Sequence, residues 1–261
     1  MTINPAIKTK KKFCFCTLAI GYRYRLMAKN LAQDLASYSP GTSFYILTDN
    51  LRDFSQQKNV VAFRYHRRGI QHCYNDRRFI FEQALADFPV AIHIDADTKI
   101  LGELPDDLDA PPGVTGIHEN LIEHISKYRP DRFENIRKIA EKLDIPLEKS
   151  QWIGESLLIV AQDGGKEKEF IKLWGLIATY AELKGIYSGQ GNLMGLAAAK
   201  IGWEVSTNSS WKTLYQLTKH LDASHSVKRS FWEQLQRRIG YHYRLNKERL
   251  LALKDFDFYY R

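Results

Sequence analysis

The sequence predicts an α/β fold: a mostly parallel central sheet flanked by helices, followed by a basic helical tail. Three observations carry this expectation. Short apolar runs bounded by turn residues alternate with segments whose apolar residues recur at helical spacing. One such run, VAIHIDADTKIL (90–101), ends in two aspartates one residue apart, where a parallel sheet presents its ligand-binding edge. Beyond residue 226 the chain turns basic and aromatic, which divides it into residues 1–226 and a tail of 227–261.

Taken in order, FCFCTLAI (13–20) reads as a buried strand closed by Gly21. Met27, Leu31, Leu35 and Tyr38 then mark a helix that SPGT ends, and SFYILTDN (43–50) is the second strand. Residues 60–65 supply a third strand and residues 79–88 a helix leading into the strand with the aspartates. PDDLDAPPG (105–113) is a loop, and Phe133, Ile136, Ala140 and Leu143 mark an amphipathic helix. ESLLIVAQDGG is a strand and turn, followed by a long helix carrying Phe170, Leu173, Trp174, Ile177 and Tyr180. SGQGNLMGLAAAKIG reads as a helix opened by glycine, and WEVS (203–206) as a short strand. There is no internal repeat.

With 261 residues, 44% hydrophobic, the chain can bury a large core, and intrinsic disorder is excluded. Its formal net charge of +8 points to an anionic partner. Much of that excess lies between Lys228 and Arg249, where seven Lys or Arg face two Glu. Three cysteines without metal-type spacing suit a reducing compartment, with Cys14 and Cys16 on one strand face as core residues. The N-terminal apolar run is too short for a signal peptide, and no run approaches the ~20 residues of a membrane span. A cytoplasmic protein is expected.

Along a strand, alternate side chains share a face, so Asp95 and Asp97 point the same way. Two carboxylates so placed repel unless a cation lies beside them. Oxygen ligands suit Mg²⁺ or Mn²⁺, which keep open positions for phosphate oxygens. DADT also fits the D-x-D-x-T pattern of haloacid dehalogenase-like phosphatases, with Asp95 as nucleophile, but the motif comes late and the later acidic segment is missing.

From residue 13 to about residue 228 the chain resembles the GT-A-type glycosyltransferases. Among these it is most similar to the retaining group that includes glycogenin and bacterial lipopolysaccharide galactosyltransferases. The resemblance runs through residues 13–50, through RRFIFEQALADFPVAIHIDADTKILGEL (77–104), and through WIGESLLIV and YSGQGNLMGLAA. It implies a Rossmann-like GT-A fold. The implied activity is metal-dependent transfer of a sugar from a nucleoside diphosphate, a UDP-sugar first, to a glycan or lipid-linked acceptor. A non-catalytic relative that binds nucleotide or glycan is the further alternative.

By the same resemblance Asp95 and Asp97 hold Mn²⁺ or Mg²⁺, joined by a late histidine. His225, followed by Lys228, is the candidate and His220 the alternative. Arg78, or Arg77 beside it, would contact the donor's phosphate or sugar. Tyr22 and Tyr24 would stack on the nucleotide base, which does not by itself choose UDP. Ala19 and Lys228 complete the donor contacts, and Asp49 is a candidate for the ribose or base. Gln190 would stand beside the anomeric carbon, although glycines replace the acids that flank it in relatives. Glu155 could act as general base, implying inversion, or bind a sugar hydroxyl; retention is the favoured outcome. In the tail, Phe231, Leu235 and Ile239 with nearby arginines form a basic amphipathic helix suited to an anionic membrane surface on the inner face. No nucleic-acid-binding motif is present.

Overall fold

A computed structural model describes residues 2–3, 11–223 and 230–261. After β1 (Thr2–Ile3) come β2 (Phe13–Ala19), α1 (Tyr22–Tyr38), β3 (Phe44–Thr48), β4 (Val60–Arg64), α2 (Arg78–Asp87) and β5 (Val90–Ile94). A turn leads to β6 (Thr98–Ile100), then β7 (Gly113–Asn120), α3 (Leu121–Tyr128), α4 (Phe133–Lys142) and β8 (Gln151–Ala161). The chain continues through α5 (Lys166–Leu183), α6 (Gln190–Lys200), α7 (Ser209–Gln216) and β9 (Thr218–His220). It finishes with α8 (Phe231–Ala252) and α9 (Phe256–Tyr260).

Seven strands form one sheet in the order β1-β4-β3-β2-β5-β8-β7. The central four, β4, β3, β2 and β5, run parallel. β8 runs antiparallel to both β5 and β7, and β1 runs antiparallel to β4. The expected class therefore forms: a mixed α/β sheet with a parallel centre, flanked by helices. From β2 the chain builds outward through β3 and β4, then crosses back to place β5 on β2's other side. This reversal opens a crevice at the carboxyl ends of β2 and β5, where α/β sheets bind ligands.

Side-chain alternation divides the core between the two sheet faces. Cys14 and Cys16 pack on one face with Ala91, the inner sides of α2 and α5, and Trp174. Phe13, Phe15, Phe44 and Ile46 pack on the other with Ala28, Leu31 and Leu35 of α1. Both cysteines are free and buried, and burial pushes both thiols up. WEVS forms no strand: of its residues only Ser206 bridges, to Thr115. The tail contacts the α/β body at several points. Arg244 of α8 donates through Nε to the carbonyls of Gly69 and Ile70 (3.0 and 3.1 Å). Tyr241 and Tyr187 share a hydroxyl hydrogen bond of 2.9 Å, and Phe258 and Tyr259 pack against Tyr180.

The segment 66–77, which feeds the crevice, is held by two buried carboxylates. Asp76 accepts from the amides of Arg68 (2.8 Å) and Gly69 (3.2 Å). Glu182 of α5 accepts from the amide of Ile70 (2.7 Å) and from Asn75 Nδ2 (3.2 Å). Asn75 Oδ1 in turn accepts from Trp174 Nε1 at 3.0 Å. Burial raises the pKa of both acids despite these donors. A raised acid binds its proton more tightly when folded, so its contribution to stability is full below the unfolded value, ~4.3 for Glu. That contribution is lost as pH rises through the folded value. The wild type's advantage over Glu182→Gln is therefore expected to shrink as pH rises from about 4. Urea denaturation of both proteins across that window checks this, and a constant or growing gap contradicts it.

Candidate metal centre and its cleft

Asp95 and Asp97 do not lie on the strand itself. β5 ends at Ile94, and the two acids occupy the turn into β6, closed by Thr98 N donating to Asp95 O at 3.1 Å. Their convergence therefore comes from the turn, not from strand alternation. A second short sheet supplies the third group. β9 pairs antiparallel with β6, setting His220 opposite Thr98. Two further bonds tie this strand down: Leu221 N to Asp97 O and Ala223 N to Asp97 Oδ2, both 2.8 Å.

Each carboxylate has one oxygen held and the other turned inward. Asp95 Oδ1 pairs with Arg77 Nη2 at 2.7 Å, and Asp97 Oδ2 accepts from Ala223. Asp95 Oδ2 lies 3.6 Å and Asp97 Oδ1 3.3 Å from His220 Nε2. Ligand atoms of all three residues fall within 4.8 Å of one another. Cis ligands ~2.1 Å from an octahedral ion stand about 3 Å apart, so this O, O, N set could hold a divalent cation. Burial raises Asp95 to about 6; Arg77 opposes the shift and Asp97 adds to it. His225 and Lys228 lie outside the described residues.

A cleft of about 560 Å³ opens over these groups. Leu18, Ile20 and Tyr24 wall it at the β2 end, while Glu155, Ser188, Gly189 and Gln190 wall it opposite. Glu155, on β8, accepts from the amide of Gly191 through Oε1 (2.9 Å), which fixes it to the start of α6; burial, opposed by Arg77, raises its pKa. Gln190 is 3% exposed, and its Oε1 is buried with no hydrogen-bond partner. The glycines around it have a steric reason. Gly189 takes φ +80, and a Cβ on Gly191 would lie 2.2 Å from Ile153 O and 2.4 Å from Trp152 Nε1. Farther along α6, a Cβ on Gly195 would lie 1.7 Å from Gln151 O. These glycines let α6 lie on the backbone of β8. Arg132 fastens the preceding loop, donating to Ser188 O (2.6 Å) and Ser188 Oγ (2.8 Å).

Several expected donor residues lie elsewhere. Arg78 points away from the cleft: it donates to Asn75 O (2.9 Å) and stacks over Phe79 at 4.2 Å. Its neighbour Arg77 reaches the site instead, also donating to Glu155 O at 2.7 Å. Tyr22 is 74% exposed outside the cleft wall, whereas Tyr24 lines it. Asp49 clamps the loop after β2, accepting from Gly21 N (3.1 Å) and Arg25 Nη1 (2.7 Å). Ala19 is fully buried in β2, between the lining residues Leu18 and Ile20. Arg67, His72 and Tyr74, which carry no sequence motif, also line the cleft, together with Cys73 and with Arg237 of the basic tail. For Arg67 and Arg237 the excess of positive charge was the sequence signal; His72 and Tyr74 had none.

The chain matches no protein-family profile and no curated protein. Among solved structures it is similar to the apo form of the bifunctional glycosyltransferase WbbM, with a TM-score of 0.46 and 13% identity. The match covers 79% of this chain and 40% of that one.

Arg77 and Asp95 are respectively 12% and 17% exposed, so removing one partner leaves a largely buried charge. Arg77→Ala is expected to lower stability by about 3 kcal/mol, and Arg77→Lys by less, because lysine cannot hold both Asp95 and Glu155 O. Chemical denaturation measures both, and equal losses contradict the bridging role. Gly191→Ala is expected to destabilise through its backbone clash, read as a lower Tm than the wild type.

Proposed function

We propose that the protein is a metal-dependent glycosyltransferase of GT-A type, moving a sugar from a UDP-sugar to a glycan or lipid-linked acceptor with retention. The observation that carries the reading is the convergence of Asp95 Oδ2, Asp97 Oδ1 and His220 Nε2 at the sheet's topological switch point. Asp95, Asp97 and His220 would hold Mn²⁺ or Mg²⁺. The bound cation supplies Lewis acidity to the departing diphosphate.

The chain's own residues divide the remaining work. Leu18, Ile20 and Tyr24 offer apolar and aromatic surface to the nucleotide. Arg77 holds Asp95 in register and adds positive charge beside the diphosphate. The sugar then lies toward the start of α6. There the unpartnered Oε1 of Gln190 is a buried acceptor suited to a sugar hydroxyl donor. Glu155, bonded to the Gly191 amide, accepts a second hydroxyl or orients the sugar. Attachment to an anionic membrane surface would run through α8. There Trp232, Ile239, Tyr243 and Leu250 are exposed at helical spacing, while Leu245 and Ala252 pack inward. No helix among the described residues is long and apolar enough to cross a membrane.

A panel of UDP-, GDP- and CMP-sugars with Mn²⁺ tests the reading. UDP-sugar turnover is expected to fall about a hundredfold or more in Asp97→Asn and in His220→Ala. Product NMR then reports the anomeric configuration. Absence of donor binding and turnover across the panel overturns the reading. Release of phosphate from simple phosphomonoesters would favour a phosphatase instead.

A further inference from the structure

A second, smaller pocket of about 310 Å³ adjoins the cleft, lined by Arg67, Gln71, Arg237, Arg238 and Tyr241. Arg67 and Arg237 line both cavities, so the pocket continues the cleft on the side of α8. Neither Arg67 nor Arg238 forms an ion pair with a carboxylate among the described residues. The surrounding groups register a surplus of positive charge. His72 is lowered by burial and then by Arg67 and Arg237. Arg244 is lowered by burial, with Arg67 and Arg237 adding to it and Asp76 and Glu182 opposing it. Arg244 also keeps a buried Nη2 without a partner. Guanidinium groups crowded in this way suit multidentate capture of an oxyanion, with Gln71 and the Tyr241 hydroxyl as neutral partners.

We infer that this pocket is an anion subsite that receives the phosphate of a phosphate-bearing acceptor. The donor diphosphate has its own charge partners at Asp95, Asp97 and His220 through the metal, which leaves the arginine pocket for a different anion. The acceptor role rests on the proposed glycosyl transfer, but anion binding does not.

The experiment titrates the full chain with inorganic pyrophosphate in EDTA, by calorimetry, and repeats the titration with UDP and Mn²⁺ already bound. Pyrophosphate is expected to bind without metal and alongside UDP. Arg238→Gln should weaken it about tenfold and Gln71→Ala/Arg238→Gln further, with UDP–Mn²⁺ affinity unchanged. Both side chains are exposed, and thermal unfolding verifies that the variants fold. Three results overturn the inference: variants that bind pyrophosphate as the wild type does, displacement of pyrophosphate by UDP–Mn²⁺, or anion affinity seen only with vesicles containing phosphatidylglycerol. The second would assign the arginines to the donor and the third to a membrane headgroup. A failure of UDP–Mn²⁺ to bind at all would instead fall on the proposed glycosyl transfer.

Discussion

One side of the cleft answers an electrostatic constraint: two carboxylates, Asp95 and Asp97, sit close together in a mostly desolvated turn. Like charges so placed do not persist without compensation. Arg77 compensates one oxygen, the Ala223 amide another, and His220 faces the remaining two. Each compensating group brings a structural demand. Arg77 requires the 66–77 segment to stay fixed, which Asp76, Glu182 and Asn75 accomplish. His220 requires the β6–β9 ladder.

The opposite wall obeys a steric constraint. Helix α6 must come close enough to β8 for a backbone amide to reach Glu155, and only glycine permits that approach at 191 and 195. The glycines beside Gln190 thus have a local reason: positive φ at 189 and close backbone approach at 191. Gln190 itself keeps its place at the cleft.

The C-terminal helix joins these two parts. Its inner face is anchored through Arg244, Leu245 and Tyr241, and its N-terminal half contributes Arg237 to the cleft rim. The C-terminal segment is thus part of the cleft wall.

Local pattern was enough for much of this. The buried strands 13–19 and 44–48, the shared face of Cys14 and Cys16, the glycine-opened helix at 190 and the acidic pair all depend on periodicity and turn chemistry within a few residues. What tertiary structure decided was long range. Arg77 and Arg78 are neighbours of identical chemistry, and the junction between a 3-10 turn and α2 chose which one faces Asp95. Asp49 ends a strand like a ligand residue, yet Arg25 and Gly21 occupy it. WEVS has strand composition but finds only one bridge partner. His220 reaches the carboxylates through a three-residue ladder more than a hundred residues downstream of β6. The sequence determined which residues could bind a cation. Only the folded chain decided which of them meet, because strand pairing across such separations leaves no local periodic trace.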